Sequence, residues 1–491
     1  MKQFGKNIIT SLLVLMMVFF FSACNLDSDQ NNGHEPGNGY DPTIILPTGE
    51  SVNGFFANGV IDNLYWGIVI NERAAALTNV ENLQKALNAA AEREIRNPIL
   101  QNATYYLDGS GELNTRFRIP SNMRLNLNGS SFIQIANASI DYAVVTFDNA
   151  ENSAIFNGKV IGDRYGHDYD TITSSHEWGY GIRVRHSRNI EIFDLEIFNM
   201  TGDGIYVQGA YSPDVPQIIF SQNITIRNNE IYNNRRQGIT FVNGVDGAVI
   251  HDNFIHGING GPRPLPLGPE AGICLEANYV YSETGEDTYT RTIRNVTIRN
   301  NRLEGALNTT LELRPALQIT IGSHRIIVRN NEIAGNIRIG RGDKIIIENN
   351  IVTGGELPTD GINAHGKGYD SAFDVIIRNN VFENCLVALD RKDEFAIVDN
   401  TFSNSRVFLG NSSAVVLNNK FNTTIPLATA IEVRAWNSED PDPIFNVYLW
   451  GNTISGEGFK QDILRGQHLN LSTHDNQADA ENYYNSILTR F

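Results

Sequence analysis

A short apolar run that ends in two asparagines recurs along most of the sequence and constrains the fold more than any other feature. It occurs at residues 224–229, 296–301, 326–331, 345–350 and 375–380, and variants end at Asn253, Asn400, Asn419 and Asn452. Successive asparagines are separated by about 19 to 33 residues, or by about twice 24. β-Branched runs punctuated by Asn and Gly are strand and turn chemistry, and a repeat of this length is typical of a solenoid. The repeat therefore predicts an all-β chain of stacked coils.

The spacing of the apolar residues selects among repeat architectures. Ile and Val alternate with polar residues, whereas a helical repeat would place them three and four residues apart. A β-propeller would need longer blades with antiparallel hairpin turns. One coil buries too little to be stable alone, so stacked coils must share a continuous core, with parallel strand pairing and asparagine ladders at the corners. We predict that this β-solenoid spans residues 101–470.

The two ends of a solenoid need covering, because an open strand edge invites aggregation. Residues 78–93 have the apolar spacing of a helix, with Thr78 as the expected capping residue. We predict that this helix closes the N-terminal end, within a cap region at residues 48–100. Residues 471–491 are partly helical in pattern and are expected to close the C-terminal end.

The first residues have the pattern of an export signal. Lys2 and Lys6 precede an apolar run at residues 8–21 and two small residues, and Cys24 follows. This pattern resembles the lipobox of bacterial lipoproteins, which implies a signal peptide at residues 1–23 and acylation of Cys24. The run is too short for a confident membrane span. Residues 24–47 are polar and lack periodicity, as in a flexible tether. We therefore expect a protein of the bacterial cell envelope, anchored by lipid to the outer membrane.

Composition argues against a nucleic-acid partner and against a fold that is held together by disulfide bonds. The formal net charge of −17 argues against a nucleic-acid partner, because Lys and Arg are not in excess to neutralise phosphates. An acidic polysaccharide remains compatible, since a local basic strip can occur on an acidic protein. Three cysteines provide no disulfide framework. We expect a monomer.

The order of segments resembles a known superfamily. A helix, then residues 103–107, then residues 119–129, then stacked coils is similar to the pectate-lyase-like superfamily of right-handed parallel β-helix proteins, which are carbohydrate-active. The resemblance implies a single right-handed parallel β-helix with an N-terminal capping helix, and a polysaccharide partner. The superfamily contains polysaccharide lyases, glycoside hydrolases, uronate epimerases and phage tailspikes, so the resemblance does not select a reaction.

A second repeat marks one strand column. Four members begin Gly-Ile, at residues 181, 204, 238 and 272, and weaker members begin at residues 310, 336, 361 and 386. Alternation predicts that the isoleucines point inward. The intervening residues should point outward and form a sugar-binding groove, although any solenoid also needs a solvated polar face. The outward set is Arg183, Arg185, Tyr206, Gln208, Thr240, Glu276, Glu312, Arg314, Arg338, His365 and Asp390. Cys274 belongs to the same column, and we expect it at the surface.

Residues 162–181 form a long insertion that ends at this column. Long loops on a rigid scaffold often carry function. Trp178 offers an apolar face for a sugar ring, and the alternative is that charged residues only pin the loop by ion pairs. The sequence demands no cofactor, but acidic residues close in sequence leave a calcium site open. The candidates in this insertion are Arg164, His167, His176, Glu177 and Trp178, with Asp163, Asp168 and Asp170 for calcium.

Three further acidic and polar positions precede strands at one level of the column. Asp203, Gln237 and Glu270 should stack over two coils, or roughly 10 Å, which suits a carboxylate pair at a glycosidic bond. A Gly- and Pro-rich insertion at residues 257–269 would wall the groove. These patterns are similar to those of β-helix proteins linked to uronate polysaccharides.

The leading functional hypothesis is β-elimination on a uronate-containing polysaccharide. Cations must neutralise the carboxylate, and an acid and a base must move protons. Arg183, Arg235 and Arg236 are the candidate cations, and His167, His176 and Tyr206 the candidate proton carriers. A C5-epimerase would need nearly the same groups. A glycoside hydrolase would instead pair Asp203 with Glu270 or Glu276, and a non-catalytic glycan-binding protein would need neither.

Overall fold

The coordinates are a computed structural model. It describes residues 51–112, 116–212, 215–258, 270–277, 293–305, 315–320, 322–340, 342–354, 359–365, 373–390, 394–424, 429–434, 444–456, 460–464 and 470–491. The predicted signal peptide and tether, Cys24, Glu312, Arg314 and most of the 257–269 insertion lie outside these residues. The described helices are Asn63–Trp66, a 3₁₀ turn at Arg73–Ala75, Ala76–Glu92 and Gln477–Leu488.

One face of the solenoid is a parallel sheet that we call the front sheet. Within the described residues it contains twelve strands. They are Asp141–Asp148, Trp178–Arg185, Asp203–Gln208, Gln237–Val242, Ile273–Glu276, Pro315–Ile319, Asn336–Ile339, Thr359–His365, Cys385–Asp390, Arg406–Gly410, Thr429–Arg434 and Lys460–Leu464. Each strand pairs with the strand one coil away, so the sequence column becomes a spatial column.

The remaining faces form a second parallel sheet, the back sheet, with 24 strands in the described part of the chain. They are Thr104–Leu107, Arg124–Asn126, Ser131–Gln134, Glu151–Ile161, Arg188–Phe198, Ser221–Arg227, Glu230–Tyr232, Val245–His251, Phe254–His256, Ile293–Arg299, Arg302–Glu304, Ser323–Arg329, Glu332–Ala334, Gly342–Glu348, Ile351–Thr353, Phe373–Arg378, Val381–Glu383, Glu394–Val398, Thr401–Ser403, Ser413–Leu417, Lys420–Asn422, Ile444–Trp450, Thr453–Ser455 and Asn470–His474. A small antiparallel pair, Ala210–Ser212 with Val215–Ile219, lies beside them. The predicted parallel β-helix is thus confirmed.

The interior is a continuous apolar core bounded by a ladder of asparagines. Ile182, Ile205, Ile239 and Ile273 are fully buried, as the alternation predicts. At one corner, each asparagine of the repeat donates from Nδ2 to Oδ1 of the asparagine in the next coil, over 2.9–3.0 Å. The amides also satisfy buried backbone carbonyls, which strand pairing alone would leave without donors. The members are Asn229, Asn253, Asn301, Asn331, Asn350, Asn380, Asn400, Asn419 and Asn452.

The N-terminal helix covers the first coils. Ala76–Glu92 buries Val80, Leu83, Leu87 and Ala90 in the same cluster as the first strands. The expected cap at Thr78 is wrong. The helix begins two residues earlier because a 3₁₀ turn leads into it, and the Glu72 side chain accepts from the Ala74 amide at that turn.

The C-terminal helix Gln477–Leu488 corrects the expectation of an end cap. It packs along the outer surface of the back sheet, where Ala480 and Ile487 bury Ile376, Ala396 and Val415. These outward residues are apolar in successive coils, so the side of the solenoid needs covering there. None of the described helices is long and apolar enough to cross a membrane.

Candidate functional site

Arg236 is the centre of a charged cluster on the front sheet. It directly precedes the strand Gln237–Val242. Its Nη1 donates to Asp203 over 2.9 Å and its Nη2 to Glu276 over 2.8 Å, while Nε lies 3.6 Å from a Glu177 oxygen. Burial lowers the pKa of Arg236, but the charges of Asp203 and Glu276 outweigh burial and raise it. Four of the predicted site residues therefore meet at one guanidinium.

Asp203 is the buried member of this cluster. Its side chain is fully buried, and burial raises its pKa to about 6, although Arg236 and Thr240 act in the opposite direction. Its Oδ1 has no hydrogen-bond partner among the described residues. Gln237 pairs with Asp203 across the strands, and its amide can turn its oxygen to within 2.9 Å of Arg236 Nη1. A carboxyl group with this pKa changes charge within the physiological range.

Tyr206 points outward from the front-sheet strand Asp203–Gln208 and lies in register with Arg183 of the neighbouring coil. Its ring stacks on Tyr180 with centroids 4.3 Å apart, and the Arg183 guanidinium lies 5.4 and 5.9 Å from the two rings. Arg183 in turn pairs with Asp141, which also pairs with the buried Arg116. Burial raises the pKa of Tyr206 to about 12, and Arg183 opposes this. The stacking fixes a neutral phenol between Arg183 and the Arg236 cluster.

The rim of this surface is partly open to solvent. The exposed fractions of the Glu276 and Glu177 side chains are 31% and 28%. Arg185 lies 4.0 Å from Asp148, its nearest acidic partner among the described residues, and Gln208 pairs with it one coil away. Trp178 is 42% exposed, as a platform for a sugar ring requires. Acids, cations and aromatic faces therefore line one open surface.

The two predicted catalytic histidines do not reach this surface. His167 and His176 are buried and bonded to each other, His167 Nε2 to His176 Nδ1, over 2.9 Å. His176 Nε2 donates to the Ile172 carbonyl over 2.6 Å. The other His167 nitrogen faces Asp163 Oδ2 at 2.8 Å, and this oxygen also accepts from Asn137. Both ring nitrogens of His167 are therefore used in hydrogen bonds inside the loop.

Two predicted substrate-binding arginines likewise hold the loop. Arg164 is fully buried and donates to the Asn233 carbonyl over 2.6 Å. Arg235 is buried and donates to the carbonyls of Ser175, His176 and Thr201. The assignments of Arg164, Arg235, His167 and His176 to substrate or catalysis are therefore corrected, because all four side chains are buried and make hydrogen bonds that hold the 162–177 loop.

The buried contacts of Asp163 predict how this loop is maintained. Asp163 accepts from Tyr142, Asn137 and His167. We expect D163A to leave these donors without partners, to cost about 3 kcal/mol, and to speed amide exchange across residues 162–177. Hydrogen-exchange mass spectrometry measures the change. D168A is the matched control, since the Asp168 side chain is exposed and accepts hydrogen bonds only within its own turn. Equal exchange in both variants would contradict the assignment.

The structure also corrects the calcium candidates and three positions of the strand column. Asp163 is committed to protein donors, while Asp168 and Asp170 are exposed. No cluster of three or more His, Cys, Asp or Glu side chains among the described residues is arranged to hold a metal ion. Cys274 and Thr240 are fully buried, because charged neighbours cover this part of the column. Glu270 is also buried, and Arg236 links Asp203 to Glu276 instead.

Sequence reasoning missed Tyr180, Asp141, Tyr142 and Arg116. Tyr180 lies immediately before the Gly-Ile repeat at residue 181, so the repeat could have pointed to it as a residue of the strand column. Asp141, Tyr142 and Arg116 belong to coils that lack this repeat, and only strand pairing brings Asp141 level with Trp178.

Comparison with known proteins agrees with this architecture. The family described as "Right handed beta helix region" matches residues 106–281 and 181–350. This chain is a right-handed parallel β-helix protein. It is 27% identical over 414 residues to the uncharacterized protein YclG of Bacillus subtilis (strain 168), which covers 79% of this chain and 68% of YclG. The SPbeta prophage-derived uncharacterized protein YorA of the same organism is 31% identical over 258 residues, covering 49% of this chain and 42% of YorA.

A solved structure has a similar β-helix. The tailspike protein of E. coli bacteriophage HK620, in complex with a pentasaccharide, has a TM-score of 0.50 and 12% sequence identity. The match covers 80% of this chain and 76% of the tailspike. At this identity the likeness shows the fold alone.

Proposed function

We propose that this β-helix protein cleaves a uronate-containing polysaccharide by β-elimination on the front sheet. The observation that carries the proposal is Tyr206, a protonated phenol in contact with the Arg183 guanidinium and within electrostatic reach of Arg236 and Glu276. Such a surface combines the acid, the base and the positive charge that the reaction requires.

The roles follow from exposure and charge. Arg183 and Arg185, which point outward from the same strand, would neutralise the uronate carboxylate and so make the C5 proton more acidic. Glu276 or Glu177, both partly exposed, would take that proton. Electrons from the C5–H bond form the C4–C5 double bond, the C4–O bond breaks, and Tyr206 protonates the departing oxygen. The products are an unsaturated uronate and a new reducing end.

The phenol is suited to the acid role. Burial raises the Tyr206 pKa to about 12, so the hydroxyl keeps its proton at neutral pH. Stacking on Tyr180 limits its motion. Trp178 would hold a neighbouring sugar ring at the rim.

Two further observations are compatible with this proposal. The HK620 tailspike, which has a similar fold, binds a pentasaccharide. The export pattern and Cys24 would place the protein in the cell envelope, anchored to the outer membrane, where extracellular polysaccharide is accessible.

Replacing Tyr206 by phenylalanine tests the mechanism. The full chain is incubated with acidic and neutral polysaccharides, and absorbance of the unsaturated uronate is followed together with release of reducing ends. We expect Y206F to lose at least about 100-fold in kcat, because it removes the general acid. The matched control Y65F alters an exposed tyrosine in the N-terminal cap and should retain full activity. Retained kcat in Y206F would contradict the assigned role.

A glycoside hydrolase is the second candidate, favoured by the Asp203 pKa of about 6. Asp203 and Glu276 bind the same guanidinium, which places their oxygens within roughly 8 Å, a separation compatible with a carboxylate pair. Reducing ends without absorbance would select this reaction. Solvent deuterium at C5 without cleavage would select epimerisation, and binding without either would select a non-catalytic role.

A further inference from the structure

Asp163, His167 and His176 form a continuous hydrogen-bonded row inside the 162–177 loop, which we call the histidine bridge. Asp163 Oδ2 faces His167 Nδ1 at 2.8 Å, and His167 Nε2 faces His176 Nδ1 at 2.9 Å. The row ends where His176 Nε2 donates to the Ile172 carbonyl over 2.6 Å. All three side chains are buried. Each of these contacts needs one hydrogen between its two heavy atoms, so the complete bridge holds three hydrogens.

This number differs from what the same groups carry in water. A solvated carboxyl group is ionised above about pH 4, and a solvated imidazole is neutral, with one N–H, above about pH 6.5. Two neutral imidazoles and a carboxylate therefore bring two hydrogens, one fewer than the closed bridge needs. Below about pH 6.5 two imidazolium rings bring four, one more than the bridge can use. Closing the loop thus takes up a proton at higher pH and releases one in acid.

The groups that surround the histidine bridge keep their charge states over the same range. Burial raises the pKa of Tyr142 and of Tyr169, so both phenols stay neutral. A hydrogen bond from Thr171 lowers the pKa of the exposed Asp168, which therefore stays ionised, and arginine remains charged. The titratable and charged groups that face the bridge are Tyr142, Tyr169, Arg164, Arg235 and Asp168.

The loop carries two residues of the front-sheet site. Glu177 and Trp178 directly follow His176, whose φ of 49° lies in the left-handed region that side chains disfavour. The His176 ring is held by the bridge, and its carbonyl accepts from Arg235 over 3.0 Å. A broken bridge removes the ring contacts that hold this turn. Glu177 would then leave its position 3.6 Å from Arg236.

We propose that the histidine bridge makes the 162–177 loop a pH-sensitive gate on the front sheet, which is closed most firmly at about pH 6.5. On either side of this pH the closed and open loops differ by one proton, so the ratio of open to closed loop rises up to about tenfold per pH unit. Without its third hydrogen the bridge contains two buried acceptors that face each other, which is unfavourable. Control of substrate binding by this gate rests on the proposed function, whereas the opening does not.

Hydrogen-exchange mass spectrometry of the full chain measures the opening between about pH 5 and 9. Each exchange rate is divided by that of an unstructured peptide at the same pH. We expect the protection of residues 162–177 to be greatest at about pH 6.5 and to fall up to about tenfold per unit on either side. H167Q should lower protection at every pH and abolish the fall above about pH 6.5, because the one remaining imidazole brings the hydrogen that it needs. The matched control H256Q, on the back sheet, should keep the parent's profile.

A profile in the parent that does not change with pH would overturn the proposal, and so would an unchanged alkaline fall in H167Q. H176Q serves the same purpose if H167Q does not fold, since it also leaves one imidazole. If neither variant folds, the parent decides alone, by a slope of one proton or by none. Y206F separates the gate from the catalytic proposal, since the exchange profile should persist when turnover is lost. Absence of turnover in the parent would remove the catalytic proposal and leave the exchange profile as the test of the gate.

Discussion

Replacing Arg236 by methionine is expected to destabilise the protein by about 3–5 kcal/mol at pH 7.5. Methionine retains much of the volume but removes the charge that compensates Asp203, a fully buried carboxylate. Breaking a buried ion pair in this way leaves one charge without compensation. Denaturant unfolding at pH 7.5 measures the loss of free energy of unfolding.

The same variant should be less impaired in acid. The folded-state pKa of Asp203 is about 6, above the usual value near 4, so the folded protein binds its proton more tightly than the unfolded chain. The stability that this proton contributes is complete below about pH 4 and is lost as pH rises through about 6, a change of about 3 kcal/mol. Near pH 5 much of Asp203 is protonated, and R236M should lose less.

Two comparisons make this prediction specific. D203N removes the titrating group, so its stability should not show the fall between about pH 4 and 6 that Asp203 contributes. R185M removes another arginine of the front sheet, but one whose nearest acid is 4.0 Å away, and should cost under about 1 kcal/mol. A loss in R236M that is the same at pH 5 and 7.5, or no larger than that in R185M, would contradict the account.

The second large effect is expected at the asparagine ladder. Asn331 donates to the carbonyls of Ile298 and Arg329 and to Asn350 Oδ1, while its own Oδ1 accepts from the Asn301 backbone and side chain. N331A would leave several of these buried groups without partners. Because each such group costs about 1–3 kcal/mol, we expect a loss of at least about 4 kcal/mol.

The neighbouring residue provides the control for this prediction. Asn330 is exposed and has a φ of 55°, a conformation that glycine adopts readily. N330G should therefore cost less than about 1 kcal/mol by denaturant unfolding. If N331A unfolds at the same denaturant concentration as N330G, the ladder does not stabilise the fold as we infer.

Strand periodicity made the fold predictable from the sequence, but it gave no information on the contacts that the loops make. The alternation around Ile182 and Ile205 fixes which residues face inward, and a regular repeat fixes which residues stack. That is why Arg183, Tyr206 and Glu276 could be placed on one surface from the sequence. The partners of Asp163 could not be inferred, because Asn137 and Tyr142 come from another coil and the loop path has no period.

The exposure of individual side chains was also difficult to predict, even for residues that were placed in the correct strand column. Cys274 points outward by alternation but is covered by long charged side chains from adjacent coils. The position of the C-terminal helix is set by the outer surface of the back sheet, where the outward side chains of Ile376 and Val415 are apolar and need covering. In both cases the deciding neighbours are distant in sequence.

The ladder has a consequence for how proteins of this architecture can change length. Every asparagine between the two ends of the ladder accepts from the preceding asparagine and donates to the following one, although the chain between neighbours varies from 19 to 48 residues. Loops can therefore grow without disturbing the ladder, and a whole coil can be gained or lost by duplication or deletion while the two new neighbours still match. Duplication of one coil within the gene would therefore add one strand to the front sheet without disturbing the rest of the fold.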